Sequence, residues 1–170
     1  MIAVAIVGIL ATLIAPALGP LQSRAERVVC MGHLRAIYAA ENSYLDDYQG
    51  WPQPPAKASR QEFENYWKET LKIYGISDDT WICPTFKRGF TENPQKYSNY
   101  PTMHYMPAQF DQNPLTPRKW AGMPWAIEIG DFHATGNLLI RTDGAIKGMN
   151  DLFREAGVGN GGGKKVLKLN

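Results

Sequence analysis

Cys30 and Cys83 are the two cysteines of a 170-residue chain that also carries three histidines, His33, His104 and His133. Thiolate and imidazole are the preferred ligands of zinc, and a thiolate paired with an imidazole is also a nucleophile. The spacing favours neither use. There is no Cys-x-x-Cys and no His-x-x-x-His, so no metal site and no catalytic triad is expected. Two outcomes remain open for the cysteines. Outside the cytoplasm they could join in one disulfide, closing a loop of about 54 residues and stabilising by roughly 4 kcal/mol. The disulfide between Cys30 and Cys83 is the expectation, and two free buried thiols are the alternative.

The acidic residues offer less. Asp46-Asp47 and Asp78-Asp79 are adjacent pairs at chain turns, and neighbours in sequence do not converge on a common substrate. His133 with Asp143 could be a catalytic or metal pair. The simpler reading makes Asp143 a turn residue and His133 a strand-end residue bonded to a loop. Asp131 and Asp143 with loop carbonyls could hold Ca²⁺, but no EF-hand-like acidic run accompanies them. Gly157-x-Gly159-x-x-Gly162 matches a dinucleotide fingerprint in letters alone, because no strand precedes it and no helix follows. No catalytic residue, cofactor site or metal site is therefore assigned.

The elements that must position these residues divide the chain unevenly. The hydrophobic content is 44% and the mean hydropathy −0.32, yet none of the 34 charged residues precedes Arg24. Residues 1–21 form a nearly continuous apolar run, long enough as a helix for one bilayer crossing. No second such run follows. Pro16, Gly19 and Pro20 should kink the helix or loosen its hydrogen bonds near the membrane exit. Residues 22–48 continue it as an amphipathic helix with two neighbouring apolar stripes. One is Leu21, Ala25, Val28, Gly32 and Ala36, and the other is Cys30, Leu34, Ile37, Tyr44 and Tyr48. Glu41 is grouped with the charged residues that fall mostly elsewhere. A net charge of +2 gives no electrostatic case for nucleic acid.

Residues 49–152 are expected to form a single globular head. Ser59-Arg60-Gln61-Glu62 is a capping box that opens a helix with Phe63, Trp67, Leu71 and Tyr74 on one face, and Gly75 stops it. Trp81 to Pro84 reads as a short extended piece. Residues 87–124 read as an irregular, ordered excursion pinned by Tyr97, Tyr100, Tyr105 and Trp120. The alternation at Trp125-Ala126-Ile127-Glu128-Ile129 predicts a strand. Segments 138–142 and 145–149 around Asp143-Gly144 predict a hairpin. Residues 153–170 read as a flexible Gly/Lys-rich tail.

These features together resemble a type IV pilin or a type II secretion pseudopilin. The run MIAVAIVGILATLIAPAL is similar to the N-terminal segment of that family, without the Gly-Phe-Thr-Leu-Ile-Glu-Leu stretch that carries the peptidase site. On that alignment the missing glutamate belongs two residues upstream of Met1. Cys30-Met31-Gly32-His33-Leu34-Arg35-Ala36-Ile37 resembles the Cys-x-x-Asn-Leu-Arg-Gln-Ile segment of a large bacterial subgroup, with His33 in place of asparagine. Tyr44 to Pro52 resembles its Tyr-x-x-Asp-x-x-Gly-x-x-Pro turn, and Cys83-Pro84 its second Cys-Pro. His133, nine intervening residues and Asp143-Gly144 match its His-x(9)-Asp-Gly signature.

The resemblance implies an α+β pilin-like fold, a long N-terminal helix packed on a small antiparallel C-terminal sheet. It implies a structural filament subunit rather than an enzyme. Its partners would be copies of itself or related subunits, meeting through the helix. The helix would first sit in the bacterial inner membrane with the head in the periplasm, and later in a cell-surface filament. The competing expectation is a single-pass, membrane-anchored periplasmic binding domain.

Overall fold

The computed structural model describes residues 2–98, 100–130, 132–133 and 136–155, with side chains described from residue 19 onward. Its longest element is α1, Ile2–Tyr48. This helix is continuous through Pro16, Gly19 and Pro20, so the sequence breakers do not end it. The expected membrane-spanning segment 1–21 falls largely on side chains outside the described residues. Among the described residues, no helix is long and apolar enough to cross a membrane.

The apolar stripe beginning at Cys30 is the one that packs, up to the half-buried Tyr44, while its last member Tyr48 is 60% exposed. Cys30, Leu34, Ile37, Ala40 and Leu45 are buried, whereas Leu21 and Val28 are 58% and 66% exposed. The two stripes expected from the sequence therefore have different fates, because the head covers one side of the helix. Glu41 corrects the sequence reading more sharply: it faces the core and is fully buried. The helix ends at Gln49, which takes a left-handed φ of 50° while its side-chain amide donates to the Asp46 carbonyl at 2.8 Å.

Beyond the turn, α2 spans Arg60–Lys72, and its capping box forms as expected. Ser59 Oγ accepts from the Glu62 amide at 3.3 Å, and the Glu62 carboxylate accepts from the Ser59 amide at 2.7 Å. Gly75 adopts φ +85°, which a side chain would resist, and so reverses the chain. Trp67 and Leu71 of α2 are buried in the core, with α2 packed on α1 and the Trp67 ring against Trp51. The Trp51 ring stands edge-on to those of Trp67, Phe110 and Trp125, and its indole N–H donates to the Ala108 carbonyl at 2.9 Å.

The stretch read as an irregular excursion is more regular than its prolines suggest. A 3-10 turn covers Asp78–Trp81, followed by α3 (Pro84–Glu92) and α4 (Pro94–Tyr97). Pro84 and Pro94 begin these helices, where a missing amide proton costs nothing. The extended piece expected at 81–84 is reduced to Ile82 and Cys83, whose backbones are extended between the 3-10 turn and α3, with Cys83 at the N-cap position of that helix. Tyr97 and Tyr100 pack on Phe86, and Tyr105 is buried, but the Trp120 side chain is half exposed, and it is its carbonyl that holds the Thr142 hydroxyl at 3.0 Å.

The sheet is an antiparallel meander of β1 (Tyr105–Pro107), β2 (Pro124–Glu128), β3 (Leu138–Arg141) and β4 (Ile146–Gly148). A 3-10 turn at Thr116–Arg118 lies between the first two strands. The expected β3–β4 hairpin forms with a three-residue loop. Gly144 N–H donates to the Arg141 carbonyl at 2.8 Å, and Arg141 N–H donates to Ala145 at 3.0 Å. Gly144, at φ +74°, supplies the left-handed position. Residues 153–155 close α5, Met149–Glu155, so the tail cannot begin at 153. Residues 156–170, with the glycine fingerprint, lie outside the described residues.

The long helix lies on this sheet. Tyr38 packs on Trp125 with ring centres 4.8 Å apart and donates to the Thr142 carbonyl at 2.7 Å, while Asp46 pairs with Arg118 at 2.9 Å. The α+β architecture expected from the sequence is therefore present in outline.

Candidate functional site

Four elements bring one polar cluster into the core. Cys30 comes from α1, Cys83 from the start of α3, Glu128 from the end of β2, and His133 from the β2–β3 connection. All four are buried, and one ligand-type atom from each lies within 4.8 Å of the others. Cys30 and Cys83 are free thiols with Sγ atoms 3.2 Å apart. His133 Nε2 is 3.7 Å from Cys83 Sγ and 3.2 Å from Glu128 Oε1.

The surroundings hold each group in place. Glu128 Oε2 accepts the Leu138 amide at 3.3 Å, which leaves Oε1 turned to the cluster. The other imidazole nitrogen, Nδ1, faces Thr85 Oγ1 at 3.5 Å. That hydroxyl gives its proton to Glu26 Oε2 at 2.8 Å and so faces His133 as an acceptor. Glu26 is in turn gripped by Arg88 through two bonds of 2.8 and 3.0 Å. The Cys83 amide donates to His104 Nδ1 at 2.9 Å.

Electrostatics distinguishes the sulfurs. The Cys83 thiol is pulled down to about 6, chiefly by the hydrogen bond it accepts from Cys30, with further bonds from His133 and the Phe86 amide outweighing burial. The Cys30 thiol moves the opposite way, because it donates that bond and is buried. Burial alone would lower the His133 value. Its bonds to Cys83 and Glu128, together with the Glu128 charge, instead raise it to about 9. His104 is pushed down to about 4 by burial between Phe86 and Phe132, and so is a neutral acceptor at its Nδ1.

The other candidates disperse. Asp143 accepts the Ala145 amide at 3.0 Å and pairs with Arg141. It sits in the β3–β4 loop, at the opposite end of β3 from His133, so the two form no pair. Asp143 is the turn residue of the simpler reading, whereas His133 lies in the β2–β3 connection rather than at a strand end, and its contacts are Glu128, Cys83 and Thr85 rather than a loop. Asp131 lies outside the described residues, and with it the Ca²⁺ suggestion. Asp46, Asp47 and Asp79 are held by Arg118, Tyr74 and Lys87. His33 packs edge-on to Tyr105, with the tyrosine hydroxyl 3.4 Å from its Nδ1, and is not among the four cluster residues.

Sequence reasoning found Cys30, Cys83 and His133 but missed Glu128, Thr85 and Glu26. The signal for Glu128 was available: it is the one ionisable residue within the apolar segment 125–129. Glu26 and Thr85 gave none, since a charged residue on an amphipathic helix and a polar residue near a helix start are ordinarily solvated. Compared with protein-family models, curated proteins and solved structures, the chain matches none.

Proposed function

We propose that this chain is a structural subunit of a pilus-like or pseudopilus filament, of the kind that serves type II secretion and type IV pilus systems. The supporting observation is the form of α1. Its 47 residues extend about 70 Å at about 1.5 Å per residue, and its first fully buried residue among those described is Cys30. Ahead of the head, Leu21, Val28 and Val29 stand 58%, 66% and 46% exposed. With Ala25, Gly32 and Ala36 they form an apolar, small-residue stripe on which a second helix can approach closely. The uncharged residues 1–21 fit storage in the inner membrane before assembly, with the head in the periplasm and afterwards at the cell surface. This reading needs no catalytic group.

Cross-linking tests it. Val28→Cys, joined by a bismaleimide in intact membranes, should give a covalent dimer through α1, and Val28→Cys with Ala36→Cys, two reactive thiols per chain on the same exposed stripe, a ladder of higher species. Monomer alone would overturn assembly through this helix.

That second outcome favours an anchored periplasmic binding head. Leu115, 72% exposed, lines a groove of about 440 Å³ with Arg118 and Lys119. Trp120 stands beside it, half exposed, with Lys119 Nζ 4.8 Å from its ring centre. An aromatic platform flanked by cations suits a glycan or protein partner.

A further inference from the structure

We infer that Cys30, Cys83, His133 and Glu128 form a closed, four-ligand structural site for a zinc-like divalent ion. The geometry fits a tetrahedron. Bonds of about 2.3 Å to sulfur and about 2.0–2.1 Å to nitrogen or oxygen place tetrahedral ligand atoms roughly 3.3–3.8 Å apart. The sulfur–nitrogen and nitrogen–oxygen separations here, 3.7 and 3.2 Å, lie close to those values, while the sulfurs, 3.2 Å apart, must part by about half an ångström to reach the sulfur–sulfur end of the range. No pair of ligand atoms exceeds 4.8 Å, so small shifts close the set around one ion. Two thiolates, an imidazole and a carboxylate select zinc over magnesium or calcium, which prefer six or more oxygens.

The outer contacts are those a metal site requires. A ligating imidazole is oriented by an acceptor at its second nitrogen. Thr85 Oγ1 is that acceptor for His133 Nδ1, and the Glu26–Arg88 pair fixes the Thr85 proton away from the ring. Leu138 N–H holds the Glu128 oxygen that faces away from the centre. A disulfide would use only the two sulfurs and would require neither His133 nor Glu128 beside them.

The ligands are distant in sequence and all buried, so the ion enters as the head folds. Its role is a clasp. It would join the base of the long helix to α3 and to the β2–β3 end of the sheet, where pulling on α1 loads the head. This inference stands apart from the filament reading, since either an assembled or an anchored head can carry the clasp.

The test uses the full chain in detergent, produced in cells supplied with Zn²⁺ or Co²⁺ and purified under reductant. One zinc per chain is expected by mass spectrometry of the metal. The cobalt form should show a thiolate-to-cobalt charge-transfer band, bleached by added Zn²⁺. Glu128→Gln keeps the shape of the side chain and should weaken affinity at least 100-fold, with the circular-dichroism spectrum intact. Thr85→Val, an outer residue, should weaken it 10–100-fold. Four results overturn the inference: less than a tenth of an ion per folded chain; no thiolate band from folded, reduced wild-type protein; a band indifferent to both substitutions; or a Cys30–Cys83 disulfide in chain isolated without reductant from its native compartment.

Discussion

Glu41 lies on the core face of α1, is fully buried, and has neither carboxylate oxygen hydrogen-bonded among the described residues. Burial pushes its acid constant well above the ordinary carboxyl value of 4.5. The folded state therefore holds a proton that the unfolded state releases above about pH 4.5. With the folded value raised, stability is fully present below the unfolded value. It falls as pH rises towards the folded value, at up to about 1.4 kcal/mol per pH unit. Two substitutions separate the contributions. A buried polar group left unsatisfied costs about 1–3 kcal/mol, and Glu41→Leu removes the unpartnered carboxyl. It should stabilise by about 1–3 kcal/mol at pH 5, or roughly 2–4 °C of Tm per kcal/mol for a domain of this size. Its advantage should then widen by up to about 1.4 kcal/mol for each pH unit above that, within the window opened by the upward shift. Glu41→Gln keeps an unpartnered polar group, so it should match wild type near pH 5 and gain only the part that grows with pH. Urea unfolding at pH 5, 6 and 7 reads this directly, because Trp51, Trp67, Trp81 and Trp125 are buried reporters. A Leu variant less stable than wild type at pH 5 would show that the carboxyl has a stabilising partner. An advantage independent of pH would refute the upward shift.

Other consequences follow from single contacts. Tyr38→Phe removes the bond to the Thr142 carbonyl and should cost about 0.5–1.5 kcal/mol in urea unfolding, loosening α1 from the hairpin end of the sheet. Gly144→Ala should cost about 1–2 kcal/mol through its φ of +74°. Its new Cβ would meet Tyr38 at an ordinary 3.5 Å, so Gly144→Asn should recover part of the loss in thermal melts. Arg88 holds the Glu26 carboxyl below its usual range by hydrogen bonding, helped by Thr85 and Gln22. That stabilisation is present above the unfolded value near 4.5 and is lost as pH falls through the lowered folded value. Arg88→Met should therefore destabilise by about 1 kcal/mol at pH 7 and converge with wild type in acid, as followed by melting temperature against pH.

Local signals foretold local structure. The Ser59–Glu62 box, the Gly75 reversal, the 125–129 alternation and the Asp143-Gly144 hairpin each depend on residues a few positions apart, and each is present in the fold. The prolines around 87–124 misled because Pro84, just before that region, and Pro94, within it, start helices rather than form loops. The two stripes of α1 were equally apolar in sequence. Choosing between them required knowing which side the head covers, and that same choice buried Glu41.

Composition and periodicity alone determined a charge-free start, an amphipathic continuation and a small mixed head, because hydrophobic patterning and capping act over single turns and adjacent strands. The meeting of Cys30, Cys83, Glu128 and His133 was decided by packing. Their segments lie on three elements and a connection separated by up to about a hundred residues, and no spacing rule spans that distance. Only when α1 docks on β2 and α3 do two sulfurs, a carboxylate and an imidazole share one dry interior, where unpaired charge is costly and a common partner is favoured.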